Sequence, residues 1–303
     1  MGSSPSAPAS PADFTLHIGA HKTASTHLQS VLRANREVLR AQGCACFGPE
    51  LLRGDLKLPL PRARDHIYAQ SLTPLRNAVD AARAEGCRVL ISEENIHGGG
   101  PSPPVMAAGG QYYPNAAARV TRLLRGLEAT GAVIALALRE PGAHLVSGWG
   151  HQYLAGRPKS FSEYVAEVDL AALRWSELVA RLLACSEVAR VLVWRQEDYG
   201  AISGQLWPAL TGLDAAQLDW PEQRIKLIGP SARAMDELPA IMARNPDLPA
   251  KQAVRRAMKR FPKSAKWPAP APLDAGLQDA LRAGYAADWA RLAEMPHVTC
   301  LTP

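Results

Sequence analysis

The sequence has no apolar run near the ~20 uncharged residues that a membrane helix needs. Its opening stretch, MGSSPSAPASPAD, has neither a basic region nor a hydrophobic segment. No transmembrane segment and no secretory leader are expected, and the reading is a cytoplasmic chain with a disordered leader over residues 1–13. Aromatic residues are scarce, at 6%. A nucleic-acid face interleaves aromatics with a dense basic patch, so nucleic acid is not an expected partner. Five cysteines (Cys44, Cys46, Cys87, Cys185, Cys300) form no C-x-x-C pair and meet no histidine at zinc spacing. They read as reduced structural thiols, with no metal required. Internal repeats are missing too, and nothing in the sequence addresses oligomeric state.

What is present describes an ordinary globular chain. Its 303 residues are enough to bury a substantial core, and 47% hydrophobic with 20% charged residues lies far from a disordered composition. A formal charge of +6 favours anionic ligands without choosing among them. FTLHI (14–18), CRVLIS (87–92), AVIALAL (132–138) and ARVLVW (189–194) are short apolar runs with little polar alternation, the pattern of strands buried on both faces. Helical spacing lies between them, at Leu28, Val31, Leu32 and Leu39 and again at Val120, Leu123, Leu124 and Leu127. This alternation predicts an α/β core over residues 14–220, a parallel β-sheet flanked by helices. Residues 221–303 read as a mostly helical C-terminal subdomain packed on that core. The Gly- and Pro-rich stretch from Gly98 to Pro114 reads as a flexible loop and a candidate lid.

In such folds ligands bind beyond the carboxyl ends of the strands. The first of those ends carries LHIGAHKTASTHLQ (16–29). Gly19 permits a tight turn, the amides from His21 to Thr26 run into a helix start, Lys22 adds a charge, and Thr23, Ser25 and Thr26 add hydroxyls. Unpaired amides and the helix dipole make such a start an anion site. The Gly-x-x-x-x-Gly-Lys-Ser/Thr spacing of ATP and GTP sites is absent. A second piece, LALREPGAHLVSGW (136–149), places Arg139 directly after a strand and Ser147 eight residues later on a helix, so that a rigid fork and a hydroxyl converge on one phosphate.

These two pieces resemble the nucleotide signatures of the sulfotransferases that use PAPS (3'-phosphoadenosine 5'-phosphosulfate). The bacterial branch is also similar in LISEEN (90–95) and VWRQEDY (193–199). The likeness covers roughly residues 14 to 215, and the C-terminal third matches only loosely. It implies a P-loop-like α/β fold and a PAPS cosubstrate released as PAP (adenosine 3',5'-bisphosphate). The segment from Lys22 to Thr26, with Gly19 and His21 beside it, would hold the 5'-phosphosulfate, and Arg139 and Ser147 the 3'-phosphate. Ala24 stands where that family commonly has Gly or Ser, and it is small enough to keep the close backbone approach.

Sulfuryl transfer to a hydroxyl or amine acceptor needs a base within hydrogen-bond reach. Glu94 is the first choice. Glu93, expected to point the other way in an extended segment, is also a candidate, as are His66 and Glu50 after the first helix. Lys22 would stabilise charge on the leaving oxygen. The spacing of His17, His21 and His27 does not suit a metal, and His151 is a candidate for the acceptor pocket. Lys263 and Lys266, in FPKSAKW, are candidates to close over the 3'-phosphate; the rest of the basic 251–266 stretch reads as a solvated helix face. The acceptor itself, whether small molecule, glycan or lipid, is not selected. Two alternatives remain open: an ATP-dependent small-molecule kinase, and a nucleotide-binding protein without catalysis.

Overall fold

The computed structural model describes residues 13–59, 65–98, 106–221 and 229–303. The leader up to Ala12 and the middle of the 98–114 loop lie outside the described residues. Six strands, β1 (Phe14–His17), β2 (Cys44–Phe47), β3 (Arg88–Ser92), β4 (Ala132–Leu138), β5 (Val188–Arg195) and β6 (Val298–Leu301), form one sheet in the order β2-β3-β1-β4-β5-β6. Every pairing is parallel. All seven residues of β4 are buried, which is why its sequence shows no alternation.

Twelve α-helices surround the sheet among the described residues, and in chain order they are α1 (Ser25–Ala34), α2 (Arg36–Ala41), α3 (Pro49–Leu52), α4 (Asp65–Ala84), α5 (Ala116–Gly126), α6 (Pro141–Leu154), α7 (Phe161–Val165), α8 (Trp175–Leu183), α9 (Ser203–Thr211), α10 (Ala232–Arg244), α11 (Ala250–Arg260) and α12 (Ala275–Glu294). The pleat sends alternate strand residues to opposite faces, and two cores result. Leu16, Ile91, Ile134 and Val193 meet α4, α5 and α8 on one face. Leu90, Ala135, Leu192 and Trp194 meet α1, α2 and α9 on the other. Helices on both faces make this the doubly wound parallel architecture expected from the alternation of strand and helix.

The C-terminal part is mostly helical, as expected. A third apolar cluster joins α10 and α11 to Tyr153 of α6, and the Tyr153 hydroxyl donates to the Ala234 carbonyl at 2.6 Å. The buried carboxylate of Asp288, on α12, accepts from the Trp175 and Ser176 amides at 2.6 and 3.2 Å, satisfying donors at the start of α8. Two strands escape the sequence reading. CACF has no β-branched residue, and VTCL is a short edge strand paired only with β5. Through β6 the chain beyond residue 221 returns to the core sheet. No described helix is long and apolar enough to cross a membrane, and all five cysteines are free thiols.

Candidate functional site

The loop after β1 is built as a rigid cradle. Its first residues continue the sheet, with the Ile18 and Ala20 amides donating to the Ala135 and Ala137 carbonyls at 3.0 and 3.2 Å. A Cβ at Gly19 would stand 2.8 Å from His17 Nε2 and 3.0 Å from Ser25 Oγ, so the chain passes where no side chain fits. Lys22 and Ala24 then take the left-handed conformation, with φ of 68° and 63°. That conformation costs an L-residue roughly 1–2 kcal/mol, and alternation of this kind turns successive amides toward one concavity. Among the described residues, no acceptor meets the amides of Thr23, Ala24, Ser25 or Thr26.

Three side chains hold this strained turn from outside. Arg139 Nη1 donates to the Lys22 carbonyl at 2.7 Å, His144 Nε2 donates to the His21 carbonyl at 2.9 Å, and the His21 amide donates to the Tyr113 hydroxyl at 2.9 Å. With the carbonyls of His21 and Lys22 drawn toward β4 and α6, the free amides of the following residues face elsewhere. Arg139 is itself pinned, because the Trp175 indole donates to its carbonyl at 2.9 Å. Glu140 caps α6 with its own carboxylate, accepting from the Gly142 and Ala143 amides at 2.8 and 2.6 Å. Its backbone amide is bound by Glu197, from the VWRQEDY segment, at 3.0 Å. The start of α6 is thereby satisfied internally, and the anion-seeking groups are those of the first loop and of Arg139.

The electrostatics agree. Burial lowers the Lys22 pKa, and the neighbouring Arg139 charge lowers it further. Burial likewise lowers the Arg139 pKa, despite the opposing pull of Glu197 and Glu140. Two half-desolvated cations thus repel one another, while Ser25 Oγ and Arg139 Nε are buried with no hydrogen-bond partner among the described residues. An anion would relieve each of these costs at once. Ser147 sits half-buried on α6, on the face it shares with His144 and His151, three residues before it and four after. His144 touches the loop, and burial lowers the pKa of His151, with the Lys22 charge lowering it further. That face of α6 therefore addresses the cradle.

The acidic side of the site differs from the extended segment expected after β3. The chain turns at once into a 3-10 turn over Glu94–Ile96, and buried Glu93 caps it by accepting from the Asn95 amide at 3.0 Å. Arg53 donates to both Glu93 oxygens, at 2.7 and 2.5 Å, and to Glu94 at 3.0 Å. Glu93 and Glu94 thus share one guanidinium instead of pointing apart. Glu94 keeps its other oxygen on Gln29 of α1, at 2.8 Å. Burial pushes the Glu94 pKa up, but the hydrogen bonds from Gln29, its own backbone and Arg53, with the Arg53 charge, bring it below the ordinary value. It is ionised at neutral pH, beside the helix that carries Ser25 and Thr26.

The histidines of the region are neutral and largely structural. His17 donates to or accepts from Ser92 Oγ at 2.7 Å and stacks on Trp194. Burial pulls its pKa to about 4. The His21 ring lies against Tyr113 and Asn95, at 3.1 and 3.3 Å. His27 pairs with Tyr199 at 3.0 Å. No group of three histidine, cysteine or carboxylate side chains among the described residues is arranged to hold a metal.

Four candidates stand apart from the cradle. His66 is exposed in the first turn of α4, and Glu50 is tied to Arg36. Lys263 and Lys266 are exposed in the turn after α11, and the Lys266 ammonium lies 4.8 Å over the Trp267 ring. Among the described residues no hydrogen bond joins either lysine to Arg139 or Ser147, although the same segment ends at Leu273, which packs on Gly142 at the start of α6. The stretch expected to form a lid is, over its described second half, part of the core: Tyr112 stacks on Trp175 at 3.6 Å, and Tyr113 braces the loop. Sequence reasoning missed the roles of Gln29, Arg53, Tyr113 and His144: Gln29 and His144 lie inside the segments 16–29 and 136–149, Tyr113 inside the 98–114 stretch, and Arg53 in no motif. Their common signal is that each is polar and lies close in sequence to a strand end or an element that the cradle leans on.

No family model and no curated protein matches the chain. A solved structure, a sulfotransferase from Alicyclobacillus acidocaldarius, is similar over 96% of this chain and 97% of that one, at 17% identity and a TM-score of 0.37. A likeness of that size bears on neither substrate nor chemistry.

Proposed function

We propose that the protein transfers a sulfuryl group from PAPS to a hydroxyl or amine acceptor. The observation that carries this reading is the cradle itself: left-handed Lys22, its carbonyl held by Arg139 at 2.7 Å, with Ser25 Oγ and Arg139 Nε buried and, among the described residues, unpartnered beside two desolvated cations. The residues fit a nucleotide with two separate anionic ends. Lys22 with the amides and hydroxyls from Thr23 to Thr26 would hold one end, and Arg139 with Ser147 the other. Lys263 and Lys266 belong to this reading only as residues of a segment whose far end reaches α6.

Bound PAPS supplies an activated sulfuryl group that moves in line to the acceptor oxygen or nitrogen, with PAP as the leaving group. The chain contributes position and charge. Lys22 offsets negative charge where the leaving oxygen develops it. Glu94, ionised and steadied by Gln29 and Arg53, accepts the proton released as the acceptor hydroxyl or amine attacks. Glu93 supports the turn and does not act as base, since its side chain is buried and takes both Arg53 nitrogens together with the amide and side chain of Asn95, whereas each Glu94 oxygen takes one donor and that side chain is partly exposed.

The ion pairs of both carboxylates with Arg53 weigh against the kinase reading, in which Glu93 or Glu94 would serve magnesium. The two are separated by melting temperature: PAP should raise it and ATP with magnesium should not. A protein that binds without catalysis would respond to PAP and release none from PAPS with any acceptor. Once an acceptor is found, Glu94→Gln should lower kcat by ~100-fold with PAP affinity unchanged. An unaltered kcat in that variant removes Glu94 from the role.

A further inference from the structure

The charge of the chain is not spread evenly. Residues 231–273, which form α10, α11 and the segment after them, hold nine lysines and arginines against three carboxylates, Asp236, Glu237 and Asp247. That surplus of six equals the formal charge of the whole chain, +6, so the rest of the sequence balances. The residues outside the described ones do not alter this, since their one side-chain carboxylate, Glu222, shares its segment with Arg224 and Lys226. Five of the nine cations stand on α11 itself: Lys251, Arg255, Arg256, Lys259 and Arg260, all exposed. Helical spacing sets them in two adjacent rows, 251–255–259 and 256–260. A solvated helix face ordinarily mixes signs, so that residues four apart attract. α11 has no carboxylate at all, and its neighbouring cations repel.

Nothing nearby neutralises these five. Among the described residues none of them is ion-paired: Arg256 donates to Asn245 Oδ1 at 3.0 Å, and Arg260 lies 5.3 Å over the Phe261 ring. Glu237 of α10 is taken by Arg233 and Arg244, at 2.6 and 3.9 Å. The shape of the face narrows the choice of partner. Ala253, Val254 and Ala257 turn inward onto α10 and Tyr153, which leaves the cations on the outer side of a single helix. α11 begins at the end of α6 remote from Arg139, where Gly156 lies against Ala250 and Lys251, and neither the cavity at Leu52 and Leu123 nor the one at Pro141 and Tyr285 is lined by it. The aromatics beyond it give no open stacking platform, because Phe261 lies under Arg233 and Arg260, Trp267 lies under Lys266, and the two rings meet edge to face. A row of cations with no groove fits a plane of fixed negative charge better than a polymer gripped from two sides. We infer that α11 docks on the surface of an anionic phospholipid bilayer through Lys251, Arg255, Arg256, Lys259 and Arg260. Attachment is electrostatic alone, since the apolar side of the helix is already packed. This docking is independent of sulfuryl transfer and of what the cradle binds.

Sedimentation of the full chain with unilamellar vesicles tests this, comparing mixed phosphatidylglycerol–phosphatidylcholine vesicles with phosphatidylcholine alone. At about 0.1 M salt, where charges are felt over about 10 Å, the protein should pellet with the mixed vesicles and stay in solution with the neutral ones. At about 1 M salt it should be released from both. Arg255→Gln combined with Lys259→Gln should weaken the partition about 30-fold, each surface cation being worth about a factor of five. Arg282→Gln combined with Arg291→Gln, which removes the same charge from exposed positions of α12, should weaken it less than about threefold. Should the α11 variant fail to fold, the lipid and salt dependence of the unaltered protein carries the test. Equal partition onto the two vesicles, partition onto neither, an undiminished partition of the α11 variant, or an equal loss in the α12 pair overturns the inference. Displacement from the mixed vesicles by heparin or a DNA duplex at matching anion concentration also overturns it, and would give the face to a soluble polymer.

Discussion

At the scale of single residues, Lys22 and Ala24 carry opposite lessons although both lie in the left-handed region. Glycine adopts that region freely, so Ala24→Gly and Lys22→Gly should each raise unfolding stability by about 1 kcal/mol. Their effects on ligand should diverge. Ala24 offers only its amide, and its replacement should leave PAP affinity intact or improved. Lys22 offers a charge, and its replacement should lower PAP affinity roughly 10- to 100-fold. Urea titration and calorimetry on the two variants check this, and a loss of PAP affinity in Ala24→Gly would count against the cradle geometry. Lys22, Arg139 and the Glu93–Glu94 pair were legible because each follows a strand end. Their partners were not: Arg53 comes from a segment with no pattern of its own, and His144, although inside the 136–149 segment, is turned onto the loop only by tertiary packing.

At the scale of elements, the unit that matters is β1, the loop and α1. Its tightest point is Gly19, where an added Cβ meets His17 Nε2 at 2.8 Å and Ser25 Oγ at 3.0 Å. Gly19→Ala should displace Ser25 and the first turn of α1 while leaving the rest of the sheet paired. PAP affinity should fall at least about tenfold with an unchanged far-ultraviolet circular dichroism spectrum; retention of full affinity would show that Ser25 and its neighbours do not form the anion site. Strands buried on both faces announced themselves in sequence, since β3, β4 and β5 are rich in Val, Leu and Ile and β1, FTLH, is buried throughout and runs on into Ile18. β2 and β6 did not, because four residues such as CACF carry no period, and pairing with a neighbour decides their state. The 106–114 stretch misled for a related reason. Its glycines predicted freedom, but Tyr112 and Tyr113 are fully buried and anchor it.

At the scale of the molecule, the neutral histidines beneath the site make stability depend on pH. Burial pulls His17 from 6.5 to about 4 and His144 to about 3. The unfolded chain binds their protons near 6.5 and the folded chain does not, so stability is full above that pH and falls as pH drops toward 4 for His17 and toward 3 for His144. His17 alone should contribute a loss of about 3 kcal/mol by the time it titrates. Urea midpoints at pH 7, 5.5 and 4.5 measure it, and midpoints that do not fall with acid would contradict the buried, neutral state of these rings. The last helix, α12, is tied to the core, since its Asp288 caps α8, whose Trp175 in turn holds the Arg139 carbonyl. The basic face of α11 stays in solvent, as its sequence suggests, with only Ala253, Val254 and Ala257 turned inward.

The most direct measurement is a calorimetric titration of PAP into the parent protein and into Lys22→Glu. The account predicts one site on the parent and a loss of at least about 100-fold in affinity on charge reversal. Equal uptake by the two proteins would contradict it.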